Sequence, residues 1–181
     1  MNSELTHKLE VGTASKKSRV AISNFVIRKD SVQELSSIAF DTSNKLHVMA
    51  FWCLELVCEK KLKLFTPYID LFCETLRKLT NDSSIRPATK ICYFLTKSNH
   101  RKNGISLTQE QEHQIIEALI DRLIQEEKVA AKVYAMKALY VLGKKYDWIN
   151  DELKLILTQD YPNHSIAYQS CSKKILKKLS Q

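Results

Sequence analysis

Apolar and polar residues alternate with the period of an α-helix along almost the whole chain. Residues 107–124 show this most clearly, because their isoleucines and leucines form one stripe while acidic residues occupy much of the remaining surface. Thr108 stands directly before an acidic first turn, as an N-cap does. The pattern predicts helical segments over residues 3–11, 15–29, 31–41, 44–63, 66–80, 83–97, 108–127, 129–146, 149–160 and 164–179.

Turn and cap residues separate these segments, at Gly12, Asp30, 41–44, 66–67, 81–83, 103–104 and 161–163. The chain of 181 residues contains only three glycines and three prolines. Because turn-rich β architectures need many more such residues, the composition favours helices joined by short connections. The sequence therefore predicts an all-α fold, and we expect residues 1–181 to form a single domain.

The segments also repeat as pairs. When the second helices of five proposed pairs are aligned at Arg19, His47, Arg86, Lys132 and Tyr168, the third residue after each anchor is mostly small. The seventh is always apolar: Val26, Leu54, Tyr93, Leu139 and Ile175. The mean spacing of about 37 residues is typical of helix-pair solenoids. We expect Ala50, Ala135 and Leu139 to be buried between adjacent pairs. The alternative is an irregular helical bundle with accidental periodicity.

Two of these pairs resemble the HEAT-repeat family. Residues 82–95 place Asp82 before a helix whose first turn contains Ile85 and Arg86, followed by Ala88 and Leu95. Residues 128–139 are similar, although lysine replaces both the aspartate and the arginine, and the first and last pairs match weakly. The resemblance implies a right-handed α-α superhelix, a HEAT/armadillo-like solenoid of about five helix pairs, in which second helices line the concave surface.

The positive charge lies on one set of helices. The first helices of the pairs carry a formal charge of −12 and the second helices carry +19, within a net charge of +8. Together with the resemblance, this division implies a basic concave face and an acidic back. We expect Arg19, His47, Arg86, Lys90, Lys132 and Lys137 to form the binding face. Lys173, Lys174, Lys177 and Lys178 are equally well explained as solvated surface residues.

This charge pattern favours an interaction module without catalytic chemistry, with an acidic protein segment as its partner. The alternative is a nucleic-acid binder, similar in style to HEAT-like alkylpurine DNA glycosylases. A third hypothesis is a small homo-oligomer in which the acidic back of one copy docks on the basic face of another. The oligomeric state stays open. The basic stretch 97–104 either extends the groove or only connects two helices, and Phe51, Trp52 and Tyr93 are interpreted as core residues.

Motifs for catalysis or cofactors are missing from the sequence. The five histidines lack metal-ligand spacing, and there is no phosphate-binding glycine loop, so we expect no metal and no cofactor. Residues 83–90 bear a faint likeness to the S-S-x-M-P-x-K loop of the fumarase and adenylosuccinate lyase superfamily, but Arg86 replaces the methionine and Lys90 comes one position late. We interpret this stretch as a helix start. Asp147 lies between Tyr146 and Trp148 at a helix junction, where Trp148 and Ile149 are expected to staple the next helix.

The cysteines predict a reducing compartment. Their number is odd, they form no C-x-x-C motif, and all lie in apolar helical stretches: Cys53, Cys58, Cys73, Cys92 and Cys171. The first eight residues lack the apolar core of a secretory signal, and no apolar run approaches the ~20 residues of a membrane span. We therefore expect a cytoplasmic protein that does not contact a membrane.

Overall fold

The computed structural model describes residues 3–160 and 164–180, and within these residues the chain is helical without any β-strand. The predicted break at 161–163 lies outside the described residues. The α-helices are α1 Glu4–Glu10, α2 Lys16–Arg28, α3 Val32–Phe40, α4 His47–Lys61, α5 Ile69–Leu76, α6 Asp82–Asn99, α7 Gln109–Ile124, α8 Val129–Leu142, α9 Asp147–Asp160 and α10 Ile166–Leu179. Each of the ten predicted segments corresponds to one of these helices, so the all-α prediction is confirmed.

Helix ends follow local rules. Thr108 caps α7 by accepting a hydrogen bond from the Gln111 amide, and the Gln111 side chain accepts one from the Thr108 amide in return. This reciprocal capping box confirms the predicted start of α7. Asp30 ends the α2 region with a φ of 52°, a left-handed conformation that aspartate tolerates better than most residues.

The connection after α4 differs from the prediction. Residues Leu62–Tyr68 form a 3-10 helix that joins α4 directly to α5. Pro67 lies within it, and because proline lacks an amide proton, it weakens the tendency of this stretch to continue as an α-helix. The predicted helix over 66–80 is accordingly shorter and begins at Ile69.

The chain forms two compact units, Met1–Ile91 and Cys92–Gln181, with the boundary inside α6. In the first unit α1 packs against α2 and α3 against α4, while α4 also packs against α2. Phe40, Phe51, Phe65 and Phe72 form an aromatic cluster with ring centroids 5.4–6.3 Å apart. Phe51, Phe65 and Phe72 are fully buried, so this cluster removes apolar surface from water in the first unit.

The second unit repeats the same pairing. Helix α7 packs against α8 and α9 against α10, and α8 also contacts both α9 and α10. Ala135 is fully buried and Leu139 is only 1% exposed, while Ala50 is fully buried in the first unit. The predicted burial of these three residues is confirmed.

The cysteines and aromatic residues mostly follow the predictions. Cys53, Cys58, Cys73 and Cys92 are buried free thiols, as expected, whereas Cys171 is half-buried. Phe51 is a core residue, but Trp52 and Tyr93 are partly exposed. Ile149 is buried, as a helix staple requires, while Trp148 is half exposed. No helix within the described residues is long and apolar enough to cross a membrane.

Candidate functional site

A concave site in the second unit, here called the basic groove, has a volume of about 420 Å³. The C-terminal part of α6, the two residues after it, α8 and α10 form its walls. Its lining residues are Tyr93, Lys97, His100, Arg101, Lys137, Tyr140, Val141, Lys144, Cys171, Lys174, Ile175 and Lys178.

Helix periodicity brings these side chains to one side. Helix α8 contributes residues 137, 140 and 141, the turn directly after it contributes 144, and α10 contributes 171, 174, 175 and 178. The spacing i, i+3, i+4 on α8, and i, i+3, i+4, i+7 on α10, places the side chains of each helix on one face. The opposite side of α8 is anchored in the core by Ala135, Met136 and Leu139. The groove walls are therefore held in place by the packing of the unit.

All charged side chains that line the groove are basic. Six lysine and arginine side chains line it together with His100, and none of its lining residues is acidic. Within the described residues none of these six cations forms an ion pair with a carboxylate, whereas Lys145 just outside pairs with Glu112 at 2.5 Å. Cations that converge without counter-charges repel one another and attract anions. The groove is thus suited to an anionic ligand.

Tyrosine rings lie beneath these cations. The ammonium groups of Lys178 from α10 and Lys144 from the turn after α8 lie 5.4 Å and 6.0 Å from the centroid of the Tyr140 ring. Lys97 lies 5.7 Å from the Tyr93 ring, and Lys137 lies 5.4 Å from that of Tyr134. Cation–π attraction compensates part of the repulsion among the lysines. The tyrosines, Val141 and Ile175 also give the groove an apolar floor.

Cys171 is the only thiol in the groove lining, and it is not activated. Burial raises the pKa of Cys171, and the positive charges of Lys137 and Lys174 only partly oppose that effect. A thiol with a raised pKa is protonated at neutral pH and is a poor nucleophile. Cys171 therefore serves as part of the groove wall.

A buried carboxylate supports the α6 end of the groove. Glu112 of α7 accepts hydrogen bonds from Asn99 at 2.6 Å, from the Tyr146 hydroxyl at 2.6 Å and from Lys145. Asn99 in turn accepts a hydrogen bond from the Leu107 amide, which closes the loop after α6. Burial acts to raise the pKa of Glu112, but the hydrogen bonds from Lys145 and Tyr146 outweigh it, so the pKa lies below its ordinary value.

Three of the predicted binding residues lie close together in the first unit, but they are engaged with other side chains. Arg86 and Lys90 both pair with the buried carboxylate of Glu55, at 3.1 Å and 2.8 Å. The Arg19 guanidinium lies 5.5 Å from the Trp52 ring centroid, and the Trp52 indole donates a hydrogen bond to the Ser83 carbonyl. A carboxylate beside Arg86 and Lys90 reduces the positive charge that they present to solvent.

The structure places His47 and Lys132 in the interior. A ring nitrogen of His47 contacts the Ala39 carbonyl, and the ring packs on Phe51. Lys132 is only 3% exposed, and its ammonium donates to the Leu123 carbonyl in the last turn of α7. Such a bond satisfies a helix-terminal carbonyl. Neither side chain reaches the surface, so we do not assign them to a binding face.

Lys137 alone, among the six residues predicted for the binding face, lines the basic groove. The four lysines of α10 project in two different directions. Lys174 and Lys178 line the groove, while Lys173 and Lys177 are exposed outside it. His100 and Arg101 show that the basic loop after α6 extends the groove. The groove could have been found in the sequence from the spacing i, i+3, i+4, i+7, which residues 137, 140, 141 and 144 share with residues 171, 174, 175 and 178.

Other candidate chemistry receives no support. Residues 83–90 lie inside α6, so this stretch is a helix start, as predicted. Asp147 begins α9, beside Tyr146, which is bound to Glu112. No cluster of three or more potential metal ligands occurs within residues 3–160 and 164–180. Comparisons of the chain with family models, curated proteins and solved structures found no match.

Proposed function

We propose that this protein is a non-catalytic interaction module that binds an acidic segment of a partner protein in the basic groove. The observation that carries the proposal is the convergence of six lysine and arginine side chains in a site whose lining contains no acidic residue. Long-range attraction would raise the association rate, and contacts with the apolar floor would slow dissociation.

The composition of the groove favours a peptide over a simple polyanion. Tyr140, Val141 and Ile175 offer apolar surface between the lysines. A segment with one apolar side chain flanked by carboxylates satisfies both parts of such a site, because the apolar side chain is buried while the carboxylates meet the lysines.

We further propose that the helix pairs belong to a HEAT-like superhelix whose second helices line its concave side. The contacts of α2 with α4, and of α8 with α10, support this arrangement, since they join second helices of successive pairs. Most residues of the basic groove come from α6, α8 and α10, which are all second helices in this scheme, and the others directly follow α6 or α8.

The test uses two matched variants of α10. The groove variant combines Lys174→Glu with Lys178→Glu, and the control variant combines Lys173→Glu with Lys177→Glu. Both change the charge equally, at exposed positions with the same spacing, but only the first pair lines the groove. The probe is a labelled peptide of glutamates around a central leucine, measured by fluorescence anisotropy.

We expect the groove variant to weaken peptide binding at least about tenfold, which corresponds to about 1.4 kcal/mol, and the control variant to change it much less. Equal losses in both variants would show that binding depends only on net charge and would refute the proposed site. Helical circular dichroism and the melting temperature of each variant check that it is folded.

Nucleic-acid binding is the second candidate, because the lysines and tyrosine rings of the groove also suit phosphates and bases. Salt dependence does not separate the two candidates, since both are electrostatic. A competition experiment does separate them. If duplex DNA displaces the labelled peptide at a lower concentration than the unlabelled peptide does, the result would favour the nucleic-acid function.

A further inference from the structure

The outer face of α9 combines acidic and apolar side chains. Trp148, Asp151, Glu152 and Leu155 are all exposed, with Trp148 at 52% and Leu155 at 53%. Their spacing is again i, i+3, i+4, i+7, so they form one stripe, here called the α9 stripe. Large apolar residues that are half exposed on one helix face are typical of a docking surface.

The α9 stripe cannot reach the groove of its own unit. Ile149, Leu153, Ile156 and Leu157 are buried on the other side of the helix and hold α9 against the core of the unit. Because the two sets of residues occupy different faces of a rigid helix, the stripe points away from that core. The four side chains of the stripe are therefore exposed and do not fill the groove of their own unit.

The chemistry of the stripe matches the basic groove. Asp151 and Glu152 supply two adjacent carboxylates, and Trp148 and Leu155 supply apolar side chains one turn before and one turn after them. The groove presents lysines around an apolar floor of tyrosine, valine and isoleucine. The two surfaces are thus complementary in both charge and polarity.

We infer that the α9 stripe of one copy of this protein docks in the basic groove of a second copy. This inference rests on the proposed function, since it identifies the acidic segment that the groove binds. The interface joins two different surfaces, so it is heterologous, and successive copies either close into a ring or continue as an open chain.

The expected association is weak and reversible. The α9 stripe contributes only four side chains to the contact. Interfaces that bury less than ~1,000 Å² are typical of weak or transient complexes, and we expect this contact to belong to that class. Its electrostatic part is screened by salt, because the Debye length falls from about 30 Å at 0.01 M to about 8 Å at 0.15 M ionic strength. Self-association should therefore rise with protein concentration and fall with salt.

The experiment compares molar masses by sedimentation equilibrium of the full chain over a range of concentrations at low ionic strength. The stripe variant combines Asp151→Lys with Glu152→Lys, and the groove variant is Lys174→Glu with Lys178→Glu. The wild-type protein should show a mean mass above that of one chain, and each variant alone should return to one chain. A mixture of the two variants should associate again, because the unchanged α9 stripe of the groove variant can dock in the unchanged basic groove of the stripe variant.

Matched controls test whether position or only net charge matters. Asp121→Lys with Glu126→Lys makes the same charge change as the stripe variant at exposed sites away from α9. Association lost equally in this control, or a mixture that stays monomeric, would overturn the inference. A monomeric wild-type protein whose groove still binds the glutamate peptide would overturn it as well, while leaving the proposed function intact.

Discussion

Individual charged residues in this protein have two distinct roles. Some lysines and arginines stabilise the fold by pairing with buried groups, as Lys90 and Arg86 do with Glu55. Others, such as Lys174 and Lys178, are exposed on the groove without a carboxylate partner within the described residues. The sequence alone does not distinguish the two roles, because the partner of a lysine depends on tertiary packing.

Lys132 is expected to be a stability residue. Lys132→Glu would remove the hydrogen bond to the Leu123 carbonyl and place a carboxylate against that oxygen in the interior. We expect the free energy of unfolding to fall by about 3–5 kcal/mol, as for an uncompensated buried charge. Chemical denaturation measures this change, with exposed Lys173→Glu as the control. A Lys132→Glu variant as stable as that control would contradict the buried position.

Glu112 should make stability depend on pH. Because its pKa is lower in the folded protein than its ordinary value of 4.5, its charged form stabilises the fold. This contribution is fully present well above pH 4.5 and is lost as the pH falls through the lower folded pKa. The difference in unfolding free energy between wild type and Glu112→Gln should therefore shrink on acidification below about pH 4.5. A difference that does not vary with pH would contradict the assignment.

At the scale of helices, local patterns carried most of the prediction. The capping box at Thr108 and the turn at Asp30 depend on residues close in sequence, and the structure confirms them. In the aligned apolar column Val26, Leu54, Leu139 and Ile175 are buried, whereas Tyr93 is partly exposed. The 3-10 segment before α5 was not predicted, since the apolar periodicity of 44–63 and 66–80 runs almost without interruption across it.

Leu139 should be the most sensitive position of α8. It is 1% exposed and lies on the side of α8 that faces the core. Leu139→Ala removes buried apolar surface and leaves a cavity, so we expect a loss of about 2–5 kcal/mol in the free energy of unfolding. The exposed Leu155→Ala serves as a control that should cost much less. Comparable losses in both variants would show that the repeat alignment misplaces Leu139.

The candidate site could be predicted only in part from the sequence. The division of charge between first and second helices pointed to Lys137, which lines the groove together with Arg101 of the basic loop. It failed to separate groove residues from buried ones, because aligned anchors such as His47 and Lys132 do not fix the direction of a side chain. Glu112 was missed because its partners Lys145 and Tyr146 are more than 30 residues away in sequence.

At the scale of the whole molecule, we propose that binding belongs to the second unit, and that Arg86 and Lys90 of the first unit stabilise the fold. The cations behind the net charge of +8 differ in how well they can attract an anionic ligand. Arg86 and Lys90 of the first unit share the Glu55 carboxylate, whereas the six groove cations have no carboxylate partner within the described residues. Whether a basic surface continues over both units, as the sequence led us to expect, stays a prediction.

The most direct test of the central claim is to map the bound peptide by nuclear magnetic resonance. The glutamate peptide with a central leucine would be titrated into isotope-labelled protein, and the changes in chemical shift would be assigned to residues. We predict changes concentrated around Lys97, Tyr140, Lys144, Lys174 and Lys178, with little change at Lys173 and Lys177. Changes centred instead on Arg19, Arg86 and Lys90, or spread evenly over all exposed lysines, would contradict it.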